Sequence, residues 1–327
     1  MFHLYPPIQP YYSGFIRRGQ HQIYLEQVGN PQGLPVLFVH GGPGAGCNET
    51  SRRFFDPQRF RVILFDQRGC GRSLPHGQWH DNQVSDLLAD IEAIREELQI
   101  PRWLLFGGSW GSTLSLLYAE AFPERVQALV LRGIFLGRQR DLEWLYGPHG
   151  AAQMFPEHYR HFIAPLMPDI DESNARLSAD TVLEGYWSLL TSNNELERSA
   201  AARSWALWEA HLIQLLPDPQ ILEQMGSLQH AVALATLECH YFRHRLWQSD
   251  NAILLNAERL AAIPLYLVHG RYDMICPLEN AWLVQQALPH AQLQVVPNAG
   301  HSALEPGITD ALIRALHSAA ADAESAS

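Results

Sequence analysis

Three residues far apart in the chain carry the types and spacing that make an alcohol reactive in water. Ser109 lies in Gly107-Gly108-Ser109-Trp110-Gly111, directly after the apolar run Trp103-Leu104-Leu105-Phe106 and directly before a helical stretch. A serine on such a G-x-S-x-G turn is held in a strained conformation with its hydroxyl projecting, and the flanking glycines let neighbouring chain approach. Asp273 follows in Gly270-Arg271-Tyr272-Asp273, after a run ending at Val268, and His301 follows in Gly300-His301, after a run ending at Val296. The order serine, acid, histidine is the one such a turn requires, and loops at the carboxyl ends of strands are where these sheets gather ligands. The chain has 16 histidines; His301 is singled out by its place after the last strand and its glycine neighbour. The implied chemistry is acyl transfer, with Ser109 attacking a carbonyl, His301 as general base and Asp273 orienting the imidazole.

Such chemistry also needs donors for the developing oxyanion. His40-Gly41-Gly42-Pro43-Gly44 follows the apolar run Val36-Leu37-Phe38-Val39, which assigns the donor pair to the N–H groups of Gly42 and Trp110. Neither a G-K-[ST] ending nor a G-x-G-x-x-G fingerprint is present, so a phosphate cradle is disfavoured. Asp66-Gln67-Arg68-Gly69-Cys70-Gly71-Arg72-Ser73 reads as a turn that braces the oxyanion loop rather than as a chemical site.

The elements that must position these residues are legible as a rhythm. Val36–Val39, Arg61–Phe65, Trp103–Phe106 and Ala128–Leu131 are short apolar runs ending in turn residues, with helical periodicity over Asp86–Leu98 and Ser112–Phe122. That is how strands buried on both faces of a parallel sheet read. Between about 137 and 255 the chain is rich in Trp, His, Glu and Ala without a convincing strand, and the rhythm resumes at Pro264–Val268 and Leu293–Val296. The expected fold is α/β, a mostly parallel central sheet flanked by helices with an inserted helical cap. The core spans residues 1–136 and 256–327 and the cap 137–255. Residues 319–327 read as a fraying tail.

Composition sets the outer limits. The 327 residues are 47% hydrophobic and 17% charged, a globular balance, with 23 Lys and Arg against 34 Asp and Glu and a net charge of −11. Nucleic acid is disfavoured as a partner on that balance. The N-terminus shows no secretory pattern and no apolar run reaches eighteen residues, so no membrane span is expected. Four scattered cysteines without a CxxC pair argue against zinc and disulfides and for a cytoplasmic location. No metal or cofactor is expected.

The motifs together resemble the proline iminopeptidase (prolyl aminopeptidase) family of α/β-hydrolases. The resemblance runs through His40–Gly44, Asp66–Ser73, Gly107–Thr113, Arg132-Gly133-Ile134-Phe135, Trp205-Ala206-Leu207-Trp208-Glu209, Glu238-Cys239-His240-Tyr241-Phe242, His269–Asp273 and Gly300-His301. It implies a metal-free serine peptidase acting on small peptides with a free N-terminal proline. It further implies that Glu209 and Glu238 hold the substrate ammonium while Phe135 and Phe242 line the pyrrolidine pocket. On residue type alone each glutamate would read as an exposed helix charge. The chain departs from the family pattern at Ala45, at Cys239 and at Leu145, where an aromatic side chain is usual. A broader esterase or amidase, and a non-catalytic binding protein of the same fold, therefore stay open alongside the peptidase. Ser109 argues against dehalogenase or epoxide hydrolase chemistry, which needs a carboxylate nucleophile. The oligomeric state is left open.

Overall fold

The computed structural model describes residues 1–169 and 177–325. Eight strands form one sheet: β1 (Tyr12–Arg18), β2 (His21–Gly29), β3 (Leu34–Val39), β4 (Phe60–Phe65), β5 (Trp103–Ser109), β6 (Val126–Ile134), β7 (Leu265–Gly270) and β8 (Gln292–Val296). The spatial order is β1-β2-β4-β3-β5-β6-β7-β8, parallel from β4 to β8 and antiparallel at β1 and β2. The order of the strands reverses between β3 and β5, which places a crevice at their carboxyl ends. The loop from His40 to Cys47 leaves β3 there, and Ser109 leaves β5 beside it.

The all-apolar strands bury both faces. On one side α1 (Val84–Glu97) and α2 (Trp110–Ala121) cover Leu37, Ile63, Leu105 and Leu129. On the other, the C-terminal helix packs Ile308, Leu312, Ala315, Leu316, Ala319, Ala320 and Ala323 on Val36, Val62, Leu104 and Val130. That helix runs Pro306–Ser325, so the expected fraying from residue 319 is corrected. Its last turns are alanine-rich but amphipathic, and each large side chain among the residues before them contributes about 1.5–3 kcal/mol on burial. The antiparallel β1 and β2 were not anticipated either.

Every element between β6 and β7 is helical among the described residues: α3 (Gln139–Tyr146), α4 (Pro156–Ile163), α5 (Ala179–Leu190), α6 (Glu195–Leu212), α7 (Pro219–Met225), α8 (Leu228–Arg243) and α9 (Ala252–Leu255), with short 3₁₀ turns. Its interior is aromatic: Tyr146, Phe162, Tyr186, Trp205 and Trp208 pack ring against ring with centroids 4.7–6.1 Å apart. Arg138 fastens this insertion to the core. It is bidentate to Asp141 and donates at 2.6 Å to Asn280, whose amide donates to the Ile134 carbonyl. After β7, α10 (Leu278–Ala287) carries Asn280, and the C-terminal helix is α11. No helix of the described residues is long and apolar enough to cross a membrane.

Candidate active site

Ser109 has φ 58° and ψ −127°, a conformation an L-residue holds only when its surroundings over-determine it. Here β5 ends and α2 begins at that residue, and the Ser112 hydroxyl donates to the Ser109 carbonyl at 2.6 Å. Gly111 sits so close to the Val39 carbonyl that any side chain would collide with β3, which explains the last glycine of the pentapeptide.

His301 Nδ1 donates to Asp273 Oδ2 at 2.7 Å, and Asp273 Oδ1 accepts from the backbone N–H of Ile275 and Cys276 at 3.0 and 2.8 Å. Burial alone would raise the Asp273 pKa; the imidazole beside it and these hydrogen bonds outweigh that and hold it below the ordinary carboxylate value. Burial pushes the His301 pKa down, Asp273 opposes this, and Arg132 reinforces it, so the imidazole is neutral at pH 7. Ser109 and His301 line one cavity, but no hydrogen bond joins them. His301 Nε2 instead accepts from Arg132 Nη1 at 2.9 Å, and the same guanidinium nitrogen donates to the His301 carbonyl. Arg132 is half-buried, its charge faced by Asp273 and Glu305. The motif Arg132-Gly133-Ile134-Phe135 contained this residue, yet nothing in its type marked it as a partner of His301.

A second histidine supports the pair. His269 Nδ1 accepts from the Ile134 N–H at 3.2 Å, which leaves Nε2 as the donor to the Cys276 carbonyl at 2.8 Å, 3.4 Å from Asp273 Oδ2. Gly133, at φ 56°, lies under the imidazole of His301; a Cβ there would come within 2.8 Å of Cε1.

Gly42 borders the cavity beside Ser109. Trp110 is the first residue of α2, so its N–H has no partner within the helix. The loop between His40 and Cys47 is clasped at both ends by the turn after β4. Gln67 donates from its amide to the His40 carbonyl and from its backbone N–H to His40 Nε2, both at 2.9 Å, and accepts the Trp110 indole N–H at 2.9 Å. Asp66 accepts from the Cys47 N–H at 2.7 Å and from Arg72. Gln67 thus ties together the two chain segments that carry the candidate donors.

Glu209 on α6 and Glu238 on α8 lie against each other in the wall of the same cavity, 8% and 2% exposed. Tyr146 Oη donates to Glu209 at 2.9 Å and Trp205 Nε1 to Glu238 at 2.6 Å. Burial pushes the Glu209 pKa up to about 7 against the hydrogen bonds that lower it. Burial and then the charge of Glu209 push Glu238 higher still. Two buried carboxyl groups in contact do not readily ionise together, so the pair tends to keep a shared proton. Phe135 and Phe242 meet edge to face with centroids 5.5 Å apart and, with Leu145 and Cys276, enclose a small annex beside Ser109. Cys239 points away from it, donating to the Leu183 carbonyl. Among the described residues no cluster of three or more His, Cys, Asp or Glu side chains could hold a metal ion.

The insertion also grips the histidine loop. The His301 N–H donates to the Ile213 carbonyl at 3.1 Å, and Glu305 accepts from Gly300 and Leu215 N–H groups at 2.5 and 2.7 Å.

Residues 35–307 match a family model described as alpha/beta hydrolase fold. A probable proline iminopeptidase of Leptolyngbya boryana is 45% identical over 96% of this chain and 96% of its own. The proline iminopeptidase of Arabidopsis thaliana is 43% identical over 95% of this chain and 80% of its own. This chain belongs to the proline iminopeptidase family. Among solved structures, a putative lipase of Acinetobacter baumannii shares the α/β-hydrolase fold at TM-score 0.67 and 16% identity, covering 98% of this chain and 93% of that one. The likeness to the iminopeptidases extends over nearly the whole chain, the helices that carry Glu209 and Glu238 included.

Proposed function

We propose that this protein releases N-terminal proline from small peptides by serine catalysis. The observation that carries the proposal is the buried Glu209–Glu238 pair opposite Ser109, with an aromatic annex between them. A buried carboxylate pair retaining one charge is a site for a small cation. An aminopeptidase must hold such a cation, the ring ammonium of proline, next to the scissile carbonyl. The pyrrolidine ring then lies between Phe135 and Phe242.

In this reading His301 Nε2 exchanges Arg132 for the Ser109 hydroxyl when substrate enters; catalytic hydrogen bonds are often incomplete in the free enzyme. His301 takes the Ser109 proton, Oγ attacks the carbonyl, and the Gly42 and Trp110 N–H groups receive the oxyanion. The proton passes to the leaving amine, the peptide departs, and water cleaves the prolyl-enzyme by the reverse route. The inserted helices act as a cap, and the enzyme works in the cytoplasm, where four free thiols stay reduced.

A panel of prolyl, alanyl and N-acetylprolyl arylamides tests this. The prolyl arylamide with its free amine should react fastest and acetylation should abolish turnover. Equal rates with free and acetylated proline would overturn it in favour of a broader amidase or esterase. Leu145 in the annex wall is the observation that favours some breadth, since one lost ring contact changes discrimination by roughly 1–3 kcal/mol.

A further inference from the structure

The annex that fits proline is the smaller of two spaces meeting at Ser109. It measures about 20 Å³, whereas the cavity on the other side of Gly42 and Ser109 measures about 270 Å³. The larger space is walled by Ile213 after α6, Met225 at the end of α7, Leu234 on α8 and Leu304 after His301. Its charged side chains, Arg132, Glu209 and Glu238, all belong to the reacting end described above; beyond them the lining holds no Lys, Arg, Asp or Glu. Leu304 is 48% exposed although it stands three residues from the imidazole, an apolar surface left open at the rim. At Ala45 and His230 the cavity meets a further space of about 190 Å³ that reaches Gly71, His76 and Ser227.

An acyl group bonded to Ser109 can have its ring on only one side, and the proposed function puts the ring on the side walled by Phe135 and Phe242. The nitrogen that leaves, with the residue attached to it, must then lie in the larger space. We infer that this cavity is a subsite for the residue following proline, selective for a large uncharged apolar side chain, with the rest of the peptide leaving past Ala45 and His230. The inference rests on the aminopeptidase reading above. The physical basis is desolvation: a leucine side chain gains by leaving water, whereas a lysine or aspartate side chain loses hydration without finding a partner.

The test compares proline release from Pro-Leu-Gly-Gly, Pro-Lys-Gly-Gly and Pro-Asp-Gly-Gly, quantified as free proline. The leucine peptide should exceed both charged ones in kcat/KM by about tenfold or more. Met225 ends a helix none of whose residues is fully buried and is itself only partly buried, so Met225→Glu sets a charge in the wall. That variant should raise the lysine-to-leucine ratio by about tenfold, while Met225→Gln should not, and melting curves verify that both are folded. Comparable kcat/KM for all three peptides, or a ratio that Met225→Glu leaves unchanged, overturns the subsite. Failure to release proline from any peptide would instead strike the aminopeptidase reading itself, so the two failures are distinct.

Discussion

Replacing each member of the buried carboxylate pair by glutamine should give unequal effects. Burial raises both carboxyls, Glu209 to about 7, and the charge of Glu209 raises Glu238 as well; with the shared proton placed on Glu238, Glu209 carries the charge near pH 7.5. A glutamine amide reproduces the shape and neutrality of a protonated glutamic acid, so Glu238→Gln exchanges one neutral hydrogen-bonding group for another at about 1 kcal/mol. Glu209→Gln removes the anion and leaves a substrate ammonium in a dry site without its counter-charge, a loss of about 3–5 kcal/mol. At 1.36 kcal/mol per decade, kcat/KM for a prolyl arylamide falls by roughly two to nearly four decades in Glu209→Gln and by less than about tenfold in Glu238→Gln. An activated aryl ester without an amine is the control, and both variants should retain most of the wild-type rate on it. The pH dependence follows with the same sign. Glu209 loses its charge as pH falls through about 7, so KM for the arylamide rises there while KM for the ester does not. A larger loss in Glu238→Gln than in Glu209→Gln, or parallel losses on the ester, refutes the assignment of the charge to Glu209.

Three further outcomes are expected. Gly133→Ala forces a methyl to within 2.8 Å of His301 Cε1 at a positive φ; kcat should fall about a hundredfold or more, and an unchanged kcat would clear Gly133 of any role in seating the imidazole. Gln67→Leu removes the link between His40 and Trp110, and should lower kcat by about ten- to a hundredfold with KM nearly constant and a matching loss in affinity for a boronate analogue; loss in KM alone would assign Gln67 to substrate binding. Glu238 has a folded pKa above its unfolded value, so the stability it contributes is complete below about pH 4.5 and is lost as pH rises. Glu238→Gln, which does not titrate, should therefore gain in Tm relative to the wild type as pH rises above about 5; parallel melting curves would contradict this.

The parallel strands and the loops after them were readable because burial on both faces leaves an unbroken apolar run, and a run followed by glycine has few meanings. Tyr12–Arg18 and His21–Gly29 escaped notice because the first is largely exposed and the second buries His21, Glu26 and Gln27 among its apolar residues, so neither reads as an apolar run. The end of α11 was misread because Ala319, Ala320 and Ala323 make a buried stripe from side chains too small to stand out. The position of Ser109 followed from local turn chemistry. Glu209 and Glu238 could not be recognised that way: their burial is created by two helices meeting, and their types suggest solvent. Arg132, His269 and Gln67 matter through what they touch across the sheet, and no spacing along the chain encodes those contacts.

The grip between the insertion and the histidine loop has a mechanical consequence. Residues 213–215, between α6 and α7, are tied by two hydrogen bonds to the segment bearing the imidazole. Any swing of those helices away from the sheet tugs the base off its station, so a gaping molecule is also a disarmed one.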